Sequence, residues 1–128
     1  AAYALARSSY TKSYVEMTSQ LILQKVANFY GVSVGELCSH VRTVALSGAR
    51  HVAIYLARAM TSCPLTMIGA RMGGRDHTTV HHSIRKIDRL VATNAKVKAE
   101  IEVITNQIRA ALLPKVPSPD IAPDSSGQ

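Results

Sequence analysis

The chain has 128 residues and a mass of 13.8 kDa, a length that suits one packed core and is short for two. Hydrophobic residues make up 47%, yet the aromatic ones are only Phe29 and five tyrosines, so the core has to be aliphatic, which favours helices over a β-sandwich. A formal charge of +7, from 15 Lys and Arg against 8 Asp and Glu, points to polyanionic partners. Two cysteines, Cys38 and Cys63, are too few for a disulfide scaffold or a four-thiolate zinc site, and no run reaches the roughly 18 apolar residues of a membrane span. A reducing, cytoplasmic setting is therefore expected, with no membrane and no small-molecule substrate.

In chain order, residues 1–13 are small and polar without periodicity and are read as a flexible N-terminal arm. The domain proper is expected over 14–113. "TSQLILQKVANFY" (18–30) places Leu21, Ile22, Val26 and Phe29 at helical spacing, with Thr18 or Ser19 as cap and Gly31 as the stop. Ser33 offers a cap for a short second helix ending near Ser39. "HVRTVALSG" (40–48) has no clean period and two valines, and is read as a loop. A long third helix follows, capped by Ser47, with Val52, Ile54, Leu56, Ala59 and Met60 at helical spacing.

Pro64 suits the first turn of a fourth helix, because it has no N–H to leave unsatisfied there. That helix buries Leu65 and Ile68, keeps Gly69 and Ala70 small, and stops at Gly73 and Gly74. The next runs from about Asp76 toward Ala92 with Val80, Ile84, Ile87 and Val91 on one stripe. Two short helices joined by a glycine turn read as a helix-turn-helix. After Asn94 a last amphipathic helix carries Val97, Ile101, Ile104, Ile108 and Leu112 on one side. The remainder, 114–128, is proline-rich and is read as a disordered tail. The expected fold is all-α, with five or six helices around a helix-turn-helix.

The chemistry concentrates in "GGRDHTTVHHSIRKI" (73–87). At about 100° per residue, Thr78, His82, Arg85 and Arg89 lie opposite the apolar stripe, so one face is core and the other cationic and hydrogen-bonding. From Arg42 to Lys98 there are ten basic residues against only Asp76 and Asp88. A helix end carrying Asp, His and Thr can meet base edges in a major groove and phosphate through its free N–H groups. The bland alternative makes Asp76 a plain N-cap and Thr78 and Thr79 neutral helix residues. His77 and His81, one turn apart, invite a zinc reading. Zinc takes three or four ligands, and the third here would be Asp76, a helix neighbour badly placed to complete a tetrahedron, so no metal is expected. Nothing local supports a thiol–imidazole pair, and "IGARMGGR" lacks the spacing of a nucleotide-binding loop, so neither an enzyme nor a cofactor is expected.

"GGRDHTTV" followed by "H…RKI", together with "QKVANFYGVSVGELCS" and "RHVAIYLARAMT", resembles the signature of the C-terminal DNA-binding domain of the bacterial replication initiator DnaA, from about Thr18 to Leu112. The resemblance implies a Trp-repressor-like helical domain that binds double-stranded DnaA-box-type sites. It implies base reading in the major groove by Asp76, His77 and Thr78, with Arg75 and Thr79 at the phosphates. By the same resemblance Arg58 would approach phosphate from the long helix, Leu65 and Thr66 would abut the backbone and Arg42 would enter the minor groove, and Arg50, His82 and Arg85 are expected at or beside phosphate.

Two departures stand out. His40, Val41, Val44 and Gly48 occupy positions commonly basic in that family, which should weaken affinity and flatten its salt dependence. Val41, Val44 and Leu46 either form a docking patch for a replication or regulatory protein partner or tuck into the domain's own core. The ATPase module that precedes such a domain does not fit in residues 1–17, so the chain is read as an excised domain or a stand-alone relative. The expectation is sequence-specific duplex-DNA binding as a replication or transcription regulator without its own ATPase. The alternative is a protein-interaction module that keeps the fold.

Overall fold

The computed structural model describes residues 2–112. Among them all regular structure is helical: α1 (Ala2–Tyr30), α2 (Val34–Leu37), α3 (Val44–Met60), α4 (Leu65–Arg71), α5 (His77–Thr93) and α6 (Ala95–Leu112). The proline-rich stretch assigned to a tail lies outside the described residues.

Two boundaries differ from expectation. Residues 1–13 were expected to form a loose arm, but α1 begins at Ala2 and runs 29 residues. Ala2, Ala4, Leu5, Ala6 and Arg7 are strong helix formers, and no glycine or proline interrupts the chain before Gly31. A helix needs no amphipathic period to continue through such a stretch. The other difference is at α3, which starts at Val44 and not beyond Ser47, because Thr43 takes the cap: its hydroxyl accepts from Leu46 N at 3.1 Å. The valine suggested a loop, yet β-branched crowding acts against the preceding turn, and at the first helical position no such turn exists.

The remaining elements begin and end near their expected places for recognisable reasons. Ser33 and Glu36 form a reciprocal capping box on α2, each side chain accepting from the other's backbone N–H at 3.0 Å. Pro64 stands at the N-cap position of α4, one place before its first turn and without a side-chain cap bond, and Asp76 caps α5.

The core is aliphatic. α3 runs through its middle, packing most extensively on α5 and then on α1, while α6 closes the domain against α1 and α5. Ile22 and Val26 of α1, Val52, Ile54 and Leu56 of α3, Ile68 of α4, Val80 and Ile87 of α5, and Ile101, Ile104 and Ile108 of α6 are buried together. Ala59, placed on the same stripe by spacing, is exposed instead. Tyr30 ties the end of α1 to α6 by donating its hydroxyl to Glu100 Oε1 at 3.2 Å; burial, then the Glu100 charge, pushes the phenol up to about 12. Arg71 and Glu16 link α4 to α1 at 3.5 Å, a surface pair that adds little to stability.

The turn between α4 and α5 is the tightest place in the fold. The carbonyl of Gly69 accepts from Gly74 N at 3.0 Å and from Arg75 N at 2.8 Å. A side chain at Gly69 would put its Cβ 1.9 Å from the Arg75 carbonyl oxygen. Gly73 follows at φ +88, with a Cβ there lying 2.0 Å from the carbonyl oxygen of Cys38. The turn is thus pressed on one side against α4 and on the other against the segment that follows α2. That double contact sets where α5 starts.

Candidate nucleic-acid interface

Val80, Ser83 and Ile87 face the core and anchor α5, which leaves the opposite face of that helix in solvent. His77, Thr78, Thr79, His81, His82, Arg85, Lys86 and Arg89 are all exposed along it. At the helix mouth Asp76 is exposed as well, and its Oδ1 accepts from Thr79 N at 2.9 Å. That bond, together with smaller contributions from the same helix end, holds the Asp76 carboxyl below its usual value and keeps it an anion. Asp76 is therefore a working N-cap. The capped end remains open to solvent.

A second wall faces this helix end across a cleft of about 430 Å³ lined by Arg42, Arg50, His51, Arg75, Asp76 and Thr79. Arg42 is exposed on that wall, just ahead of the Thr43 cap. On the floor, His51 Nδ1 meets Ser83 Oγ at 2.7 Å, joining α3 to α5. Burial, then the charges of Lys86 and His82, lowers the pKa of this imidazole.

Arg50 borders the cleft but is buried, which corrects its assignment to the phosphate-facing set. It is 5% exposed, and its guanidinium is spent inside the protein. Nε donates to Leu37 O at 2.8 Å, Nη2 to Glu36 O at 2.9 Å and to Ser39 Oγ at 3.1 Å, and Nη1 to Val41 O. The physical reason is its place on the helix: with Leu46 four residues before and Ala53 three after, both buried, position 50 falls on the core stripe of α3. A charge can sit there only because four acceptors surround it. Arg75 is also turned inward in part, donating to Ser39 O at 2.7 Å and to Met72 O. Burial, then neighbouring Arg50, lowers its pKa.

The other expected contacts lie away from the cleft lining. Arg58 is exposed toward the end of α3 and donates to Cys63 O at 3.0 Å. Thr66 is exposed and Leu65 half-buried at the start of α4. Val41 and Val44 do not tuck into the core, being 53% and 93% exposed; only Leu46 does, at 4%. Val44 stands at the first position of α3, where the helix points its side chain outward before the core stripe begins. Among the described residues no three His, Cys, Asp or Glu side chains gather as a metal site, and no helix is long and apolar enough to cross a membrane.

Comparison with known proteins places this geometry. Residues 19–87 match the family model of the bacterial DnaA protein helix-turn-helix. The chain is 48% identical over 85 residues to the chromosomal replication initiator protein DnaA of Streptococcus agalactiae, a match covering 66% of this chain and 19% of that protein. It is 46% identical over 88 residues to the DnaA of Streptococcus mutans, covering 69% and 20% respectively. Against that of Xanthobacter autotrophicus it is 48% identical over 83 residues, covering 65% and 16%. The crystal structure of a DNA replication initiation factor superposes with a TM-score of 0.70 at 29% identity, covering 85% of this chain and 32% of that one. The chain thus spans about a fifth of the length of the initiators it matches. Since the matched stretch runs from α1 into α5 and takes in more than half of the residues, the chain belongs to the bacterial DnaA helix-turn-helix family.

Proposed function

We propose that this chain binds double-stranded DNA in a sequence-dependent way, at DnaA-box-type sites, and acts there as a regulator of replication or transcription. One observation carries the proposal: the mouth of α5 is open to solvent at Asp76, His77, Thr78 and Thr79 while Val80, Ser83 and Ile87 fix the helix in the core. A rigid helix end of this kind enters the major groove. Asp76 accepts from a cytosine amino group, and His77 and Thr78 hydrogen-bond purine edges or touch a thymine methyl. Arg85 and Arg89, further along the exposed face, meet phosphate, as does Arg58 from α3. Arg42, across the cleft, reaches the adjacent minor groove. The excess positive charge of the chain supports the same partner.

Fluorescence anisotropy with DnaA-box and scrambled duplexes, repeated from low to moderate salt, tests this. Preference for the box duplex that persists as salt rises is the expected result. Equal affinity for both would remove sequence reading from the account.

A second reading rests on Val41 and Val44, whose exposure puts apolar surface where charge is expected in this family. In that reading the surface docks a replication or regulatory protein. Capture of a partner that survives nuclease treatment and is lost on Val41→Lys would favour it.

A further inference from the structure

Arg42 has little of its own to hold it. It sits in the segment between Leu37 and Thr43, which has no helix or strand pairing, and it is exposed. Yet that segment is fastened along nearly its whole length. Arg50 binds the carbonyls of Glu36, Leu37 and Val41 and the hydroxyl of Ser39. Arg75, from the mouth of α5, binds the carbonyl of Ser39 at 2.7 Å and that of Met72 in the turn. The same turn presses on the carbonyl of Cys38 at Gly73, where there is no room even for a methyl group. Ser39 closes the set by donating to Glu36 O at 2.7 Å and accepting from Val41 N at 3.2 Å.

From this we infer that Arg50, with Arg75 beside it, is a positioning residue for DNA recognition: it braces residues 38–42 against the helix-turn-helix so that Arg42 and the mouth of α5 are held in one register. The inference rests on the proposed DNA-binding reading. Its physical basis is the planar fork of the guanidinium, which serves several backbone acceptors at once where an ammonium on a flexible stem serves them poorly. A segment whose carbonyls are collected by one buried fork gives up its conformational freedom on folding and not on binding, so Arg42 meets DNA already ordered. Arg50 contributes through Arg42 without touching the nucleic acid.

The test uses a duplex selected by the full chain from a randomised pool. Arg50→Lys, Arg42→Ala and the double variant are titrated by anisotropy on that duplex, and on versions with A·T replaced by G·C at the minor-groove positions flanking the α5 contact. Arg50→Lys keeps the charge but loses the fork. It is expected to lower affinity roughly 5- to 150-fold, the range for one lost base contact, and to erase the A·T preference at those positions. In the Arg42→Ala background it should cost nothing further. In the free proteins, backbone amide exchange over residues 38–43 should speed up in Arg50→Lys while α6 stays protected.

Arg75→Lys loosens the same segment at Ser39 and should speed amide exchange over residues 38–43 in the same way, so a poorly folded Arg50 variant does not leave the question open. Unchanged affinity and A·T preference in Arg50→Lys overturns the brace. So does a loss that adds in full to that of Arg42→Ala. Wild-type protein that selects no sequence overturns the proposed function instead, and amide exchange at 38–43 then decides by itself whether the brace exists.

Discussion

Gly69→Ala is the sharpest stability prediction the fold allows, because two effects oppose each other and their sizes differ. In an open helical site the substitution would stabilise, since alanine has the higher helix propensity by about 1 kcal/mol. At position 69 the new Cβ would lie 1.9 Å from Arg75 O, 2.9 Å from Arg75 C and 3.3 Å from Val80 Cγ2. The first two are backbone atoms, so no rotamer change relieves the clash, and the turn itself has to move. Overpacking of this kind costs about 1–3 kcal/mol. Moving the turn also stretches the bonds from Gly74 N and Arg75 N to Gly69 O, each worth about 0.5–1.5 kcal/mol. Set against the propensity gain, the balance is a loss of about 1–5 kcal/mol, which lowers Tm by on the order of 10 °C in a domain of this size. Urea and thermal unfolding followed by circular dichroism measure it. Gly48→Ala is the matched control: it lies within α3 with nothing within 4 Å of the new Cβ, and should stabilise by about 0.5–1 kcal/mol. A Gly69→Ala protein as stable as the parent would refute the close approach of α4 and the turn.

Three further outcomes follow from the same geometry. Thr78→Ala should narrow the affinity gap between selected and scrambled duplex by about 1–3 kcal/mol, the value of one base contact, in a competition titration, while leaving unfolding midpoints nearly unchanged because Thr78 is exposed. Arg85→Ala should weaken binding to all sequences alike and lower the slope of log K against log salt by about 0.9 for the phosphate it gives up; an unchanged slope would remove Arg85 from the phosphate-facing surface. Stability should also depend on pH through His51. Its pKa is lowered by burial, then by Lys86 and His82, so the folded state favours the neutral ring while the unfolded chain takes up a proton near 6.5. The stabilisation is complete above that value and is lost as the pH falls below it, down to the lower pKa of the folded state. His51→Gln, which can still bond Ser83, should flatten urea midpoints over that window, and midpoints that fall as steeply as the parent's would count against the linkage.

What was legible in the sequence was what a local signal carries. Ser33, and Asp76 ahead of an apolar stripe, mark helix starts that the structure keeps. The Val80, Ile84, Ile87 spacing located the buried and exposed faces of α5, and with them the solvent-facing Thr78, His82, Arg85 and Arg89. What stayed hidden depends on contacts between distant segments. Arg50 reads as a phosphate-adjacent cation from the sequence because its acceptors at Glu36, Leu37, Ser39 and Val41 come from other segments, although its spacing from Leu46 and Ala53 puts it on the core stripe. Gly73 was legible as a turn residue, but its press on Cys38 O, 35 positions earlier, was not. Val44 shows the limit of propensity: a residue that disfavours helix interiors begins one, because its neighbour Thr43 supplies the cap.

On the proposed function, one face of the molecule, the mouth and exposed side of α5 together with the Arg42 segment, meets duplex DNA. Amide chemical-shift mapping of isotope-labelled protein titrated with a selected duplex tests it most directly. Large shifts are expected at Arg42 and from Asp76 to Thr79, smaller ones at His82 and Arg85, and none around the exposed Val103 of α6. Shifts centred on α6, with the mouth of α5 unperturbed, would contradict it.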